Sequence, residues 1–145
     1  MKPEYFVDTS VWIPYFREGE SEHGDFIDEL IDDGRVHING IVLAELLTGA
    51  RNPAELDRLA SALAGLKLVP SDRASSESAG RSGFALKKKG VSVPLSDIII
   101  ATDCIDHGLV LIESDGHFAV IAAHLPLKRH NPVAFRNDPL SVNSG

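Results

Sequence analysis

Short apolar runs of strand length, separated by helical patterns, constrain this 145-residue chain more than anything else in its sequence. Tyr5-Phe6-Val7 and Leu109-Val110-Leu111-Ile112 are apolar without interruption. A strand with one face in water alternates apolar and polar residues. A strand that is apolar throughout belongs to a sheet covered on both faces, which is typically a parallel one. Val36-His37-Ile38 and residues 66–69 read as two further strands. Between the runs, apolar residues recur at helical spacing, as in Phe26, Ile27, Leu30 and Ile31, and again in Leu56, Leu59, Ala60 and Leu63. Strands alternating with helices predict an α/β class, with helices sandwiching a central, mostly parallel sheet. Ligands of such sheets sit beyond the carboxyl ends of the strands.

Capping residues mark where the helices begin. Asp8-Thr9-Ser10 follows the first strand, Asn39 precedes a helix expected over 41–47, and Pro53 opens one that Gly65 stops. Ser71-Asp72 caps a long helix running to about Lys89, which Ser75, Ser76 and Gly80 weaken. A strong helix is expected over 97–107, closed by Gly108. Past His124 the pattern fades. The expected organisation is one domain over residues 1–130 and a loose tail over 131–145.

Composition excludes several classes. No apolar run approaches the ~20 residues of a membrane span, and an Asp at position 8 argues against a secretion signal. The single cysteine, Cys104, cannot form an intrachain disulfide, so a reducing, cytoplasmic setting is expected. Its apolar helix makes Cys104 a core residue rather than a nucleophile, and Trp12 reads as packing. Six histidines include no pair at zinc-site spacing. Neither GxGxxG nor a P-loop sequence is present, which excludes the usual nucleotide-cofactor enzymes. Net charge is −7, from 14 Lys and Arg against 21 Asp and Glu, which by itself disfavours nucleic acid. The bases are clustered, however: Arg81 with Lys87, Lys88 and Lys89, then Lys128, Arg129 and His130.

Four acids stand out. Asp8 and Asp115 follow the first and last apolar strands, Asp97 opens the helix before the last one, and Glu45 is embedded in Val42-Leu43-Ala44-Glu45-Leu46-Leu47. Taken singly, Asp8 reads equally as a helix cap, Asp97 as a dipole partner, Asp115 as a turn residue and Glu45 as one wet position on a helix. As a group they point elsewhere. Gathered carboxylates repel one another, and a hard divalent cation relieves that repulsion. Such an ion can activate water and shield phosphate oxygens, as phosphodiester hydrolysis requires.

The residues carry a family pattern. Phe6-Val7-Asp8-Thr9-Ser10, Glu45-Leu46-Leu47-Thr48-Gly49, Leu95-Ser96-Asp97-Ile98-Ile99-Ile100-Ala101-Thr102, His107-Gly108-Leu109 and Ser114-Asp115-Gly116-His117-Phe118 follow one another in order. Over roughly residues 4–125 the chain resembles PIN-domain proteins, and within them the VapC-type toxins. That resemblance implies a PIN-like α/β/α sandwich and a Mg2+- or Mn2+-dependent endoribonuclease. Asp8 and Asp97 match the firmest metal ligands, with Glu45 and Asp115 completing the acidic quartet. Thr9, Ser10 and Ser114 would orient these acids or their waters, and His117 would support the site without binding metal. An activated water would cleave RNA to leave a 5′-phosphate and a 3′-hydroxyl. The resemblance also implies a homodimer and a VapB-type antitoxin partner that covers the acidic cleft. Arg81, Lys87 and Lys88 read either as RNA-phosphate contacts or as a solvated helix end. A housekeeping RNA-maturation nuclease and a non-cleaving PIN-fold RNA- or protein-binding module are the alternatives.

One position departs from the family pattern. Glu113 stands where a hydroxyl residue is usual, two before the last acid. It reads either as a fifth carboxylate of the site or as a local change of geometry around Asp115.

Overall fold

A computed structural model describes residues 2–18, 22–114 and 116–132. In chain order the elements are β1 (Tyr5–Val7), α1 (Thr9–Arg17), α2 (Glu22–Asp32), β2 (Val36–Ile38), α3 (Gly40–Thr48) and α4 (Pro53–Leu63). They continue with β3 (Lys67–Leu68), α5 (Arg73–Lys88), α6 (Leu95–Asp106), β4 (Val110–Ile112), α7 (Ala119–Ala122) and β5 (Arg129–His130). The strands form one sheet in the order β3-β2-β1-β4-β5, and every pairing is parallel. The sheet expected to be mostly parallel is therefore wholly so among the described residues.

This order positions the site. The chain steps from β1 to β2 to β3 on one side, then returns to lay β4 on the other side of β1. Right-handed crossovers in opposite directions place helices on both faces of the sheet. The reversal leaves a crevice beyond the carboxyl ends of β1 and β4, where ligands of open α/β sheets bind. Register aligns those two ends: Val7 pairs with Ile112, and the Asp8 amide donates to Ile112 O at 3.0 Å. Asp8 and Glu113 thus leave adjacent strands at the same level.

The apolar runs became the core as their pattern predicts. Phe6, Val7, Leu111 and Ile112 are fully buried in the middle of the sheet, with Ile27, Ile38, Phe118 and Ile121 packed around them. Burying each such side chain contributes about 1.5–3 kcal/mol. Trp12 is packing, as expected: it stacks on Phe16 and donates its indole N–H to Val7 O at 2.9 Å. Cys104 is buried in the core. Gly34 and Gly108 follow α2 and α6 with φ of +68° and +65°, values that a side chain would resist.

Three local expectations need correction. Ser75 does not weaken α5: it completes a capping box with Asp72, whose carboxylate accepts from the Ser75 amide at 2.9 Å. The pattern does not end at His124, because β5 follows it and completes the sheet. β5 has only two residues, both polar in type, so no periodicity announces it. Nor do Lys128, Arg129 and His130 form a free basic cluster. His130 is buried in the sheet beside the Phe26 ring, and burial pushes its imidazole below the usual histidine value. The tail expected over 131–145 lies outside the described residues from position 133 onward. No helix among the described residues is long and apolar enough to cross a membrane.

Candidate active site

Asp8 stands first beyond β1, is buried, and caps α1 by accepting from the Ser10 amide at 3.1 Å. The capping and site readings therefore do not compete, since the cap bond fixes the carboxylate where the crevice begins. Asp97 lies in the first turn of α6, the helix that leads into β4. Helix N-termini favour a negative charge there. Glu45 sits midway along α3, the helix that follows β2, and is the most exposed of the three.

The three carboxylates act on one another. Partial desolvation holds the Glu45 carboxyl above its usual range, and the charges of Asp8 and Asp97 raise it further. Residues separated by up to 89 positions are thus within electrostatic reach at one end of the sheet. The fourth expected acid, Asp115, lies outside the described residues. No three His, Cys, Asp or Glu side chains among the described residues already form an ion cage. The donor set still fits a hard cation, being like-charged and all oxygen. Asp97 Oδ2 is buried. His117 Nε2 stands 2.5 Å from that oxygen and forms an ion pair with it when the imidazole is protonated. The half-exposed His117 supports the site from its rim.

The supporting hydroxyls are brought to the same place. Ser114 donates its amide to Ser10 Oγ at 3.2 Å and its hydroxyl to Ser10 O at 3.0 Å. This stitches the loop after β4 to the first turn of α1, beside Asp8. Thr9 begins α1 and is half-buried.

Glu113 resolves differently from the fifth-carboxylate reading. It is buried at the end of β4, accepts from the Gly116 amide at 2.7 Å and pairs with Arg129 Nη1 at 3.0 Å. Its charge is answered from β5 and from its own turn, which it helps to shape. Two further roles escaped sequence reading: the Glu113–Arg129 pair, and Asp103, buried on α6 and hydrogen-bonded to Asn39 Nδ2 at 2.8 Å. Both join residues distant in sequence, so no local pattern signals them.

Arg81, Lys87 and Lys88 are exposed on α5. Lys88 lies over the exposed Phe84 ring at 5.4 Å, and Lys87 borders a cleft shared with Leu95 and Ile98. Three arginines share a cavity with Glu45. A cavity of about 320 Å³ between α1, α3 and α4 runs alongside Glu45. Ile13, Phe16 and Leu59 give it an apolar wall, and Arg17, Arg51 and Arg58 line it as well. They come from three separate elements, so no cluster is visible along the chain.

The model of the PIN domain family matches residues 5–124. No curated protein sequence matches the chain. Among solved structures, the chain is similar to VapBC2 from Rickettsia felis bound to a DNA fragment from their promoter, at 19% identity and a TM-score of 0.75. That match covers 88% of this chain and 97% of the other. DNA-bound VapBC from Salmonella typhimurium gives 19% identity and a TM-score of 0.73, covering 90% and 98%. VapBC-5 from Mycobacterium tuberculosis, a member of the VapBC toxin–antitoxin family, gives 23% identity and a TM-score of 0.66, covering 90% and 99%. At these identities the likeness shows a shared fold.

Proposed function

Because the chain belongs to the PIN-domain family, we propose that it is a metal-dependent endoribonuclease and the VapC-type toxin of a toxin–antitoxin pair. One observation carries this reading: Asp8, Glu45 and Asp97 lie within electrostatic reach of one another at the β1/β4 crevice. Structural needs alone do not explain such a cluster, because each carboxylate raises the cost of its neighbours. A binding module that does not cut has no use for that cost.

Asp8 and Asp97 would hold the ion, with Glu45 and Asp115 binding through water or a second ion. Mg2+ or Mn2+ so held supplies a more acidic water and shields the phosphate charge. The protein's own part is positional. Ser10 keeps Asp8 in place through its amide, and Ser114 holds Ser10. His117, beside Asp97, faces the same charge from the rim. RNA bound there would be cut to a 5′-phosphate and a 3′-hydroxyl, in the cytoplasm where such substrates are found.

The partner is a VapB-type antitoxin. Its segment would lie in the cavity beside Glu45, whose apolar wall suits buried side chains and whose mixed-charge lining suits a polar rim. A homodimer is part of the same reading.

Cleavage of total cellular RNA by antitoxin-free protein tests the proposal. Fragments that form with Mg2+ or Mn2+, fail with EDTA and vanish in Asp97→Asn are expected. Intact RNA in every lane would overturn the nuclease and favour the binding module.

A further inference from the structure

Asp103 has no place in the acidic quartet, yet it is an acid buried in the core-facing side of α6, among Ile100, Ala101 and Cys104. Burial raises its carboxyl, and the bond from Asn39 works against that rise. An apolar residue would cost the core less. Asn39 is bifunctional. Its Oδ1 accepts from the Val42 amide at 2.9 Å and caps α3, while its Nδ2 donates to Asp103 Oδ2 at 2.8 Å.

The spacing gives this bond a consequence. Glu45 lies six residues after Asn39 on α3, and Asp97 lies six residues before Asp103 on α6. At 1.5 Å per residue, both carboxylates stand about 9 Å along their helices from the bond. The two helices are hydrogen-bonded at one end of this frame and mutually repelled at the other, where Asp97 acts on Glu45. A cleft of about 210 Å³ beside the bond is bordered by Asn39, Gly40, Ile41, Ile99 and Asp103. The hydrogen bond ties the start of α3 to α6 beside that cleft.

We propose that Asn39 and Asp103 are positioning residues of the active site, their hydrogen bond holding Glu45 opposite Asp97 against like-charge repulsion so that both face one divalent ion. The proposal rests on the metal-dependent reading above. It assigns neither residue to the ion itself. A buried polar contact retained for register is a recognised use of such groups.

The test is Mn2+ binding to metal-stripped protein by calorimetry, beside thermal unfolding without metal. Asn39→Ser keeps a good cap but loses the amide donor. It should unfold near the wild-type temperature yet bind Mn2+ about ten-fold more weakly, the lower end of losses for residues that orient ligands. Asp103→Leu should show the same loss, and Asp103→Asn, which keeps an acceptor for Asn39 Nδ2, should recover wild-type affinity. That recovery separates positioning from mere folding, and the two Asp103 variants carry the test if Asn39→Ser does not fold. Wild-type affinity in folded Asn39→Ser or Asp103→Leu would overturn the positioning role alone. Wild-type protein that binds Mn2+ no better than Asp97→Asn would overturn the metal site and this inference with it.

Discussion

Ser10 and Ser114 lie 104 residues apart in sequence and exchange two hydrogen bonds, amide to hydroxyl and hydroxyl to carbonyl. The same Ser10 donates its amide to Asp8. A contact between the loop after β4 and the first turn of α1 therefore braces a carboxylate at the end of the central strand.

Ser10→Ala removes the acceptor of the Ser114 amide and leaves the second bond in place. It should destabilise the fold by about 1 kcal/mol, read as a Tm lower by roughly 3 °C. RNA cleavage should fall further than stability, because the turn that carries the Ser10 amide to Asp8 loses one of its two ties to the loop after β4. A variant with lowered Tm and undiminished cleavage would show that the stitch serves only the fold.

Glu45 predicts an unusual pH dependence. Its carboxyl is raised above 4.5, first by desolvation and then by Asp8 and Asp97. The folded chain therefore holds this proton to higher pH than the unfolded chain does. Its contribution to stability improves as pH falls from neutral through the raised value, and worsens as pH rises through the same window. Glu45→Gln should raise the metal-free Tm at pH 7.5 by roughly 1–3 °C, with a smaller effect near pH 4.5, while weakening metal binding. Melts at the two pH values, with and without Mn2+, check both halves.

Metal should stabilise the folded chain by mass action. At a hundred times its Kd, a ligand specific for the folded state adds about 2.7 kcal/mol, a rise in Tm of roughly 8 °C for a domain of this size. Asp97→Asn should abolish the rise. Equal stabilisation of wild type and variant would place the ion elsewhere.

Glu113 and Arg129 predict a structural cost rather than a catalytic one. Arg129→Met leaves a buried carboxylate at the end of β4 with one partner fewer. A loss of about 3 kcal/mol is expected, or roughly 10 °C in Tm. The double variant Glu113→Gln with Arg129→Met should recover part of it. Denaturant titration of the three proteins decides whether the two residues are coupled.

Lys87 and Lys88 can be assigned by salt. If both contact RNA phosphates, Lys87→Ala with Lys88→Ala should reduce the slope of log affinity against log salt by about 1.4 for single-stranded RNA, at 0.7 per contact. An unchanged slope would assign them to the dipole of α5, whose last turn they occupy.

Much was legible in the residues themselves, because the relevant physics is local. Uninterrupted apolar runs required a sheet buried on both faces, and Tyr5–Val7 and Val36–Ile38 formed where their composition predicts. Asn39, Pro53 and Asp72 opened helices because a side-chain oxygen or a fixed φ acts within one turn. Asp8, Glu45 and Asp97 could be nominated from position and pattern. Tertiary structure alone decided what depends on distant partners. Strand order placed β4 beside β1 and so made the crevice. β5 formed from two residues with no periodicity, held by its neighbour rather than by propensity. Glu113, a possible ligand in one dimension, became the partner of Arg129 because the β4–β5 register brought them together. The Asn39–Asp103 bond spans 64 residues. Sequence determines local backbone and burial preference through short-range chemistry, while the meeting of side chains across the fold is a property of topology.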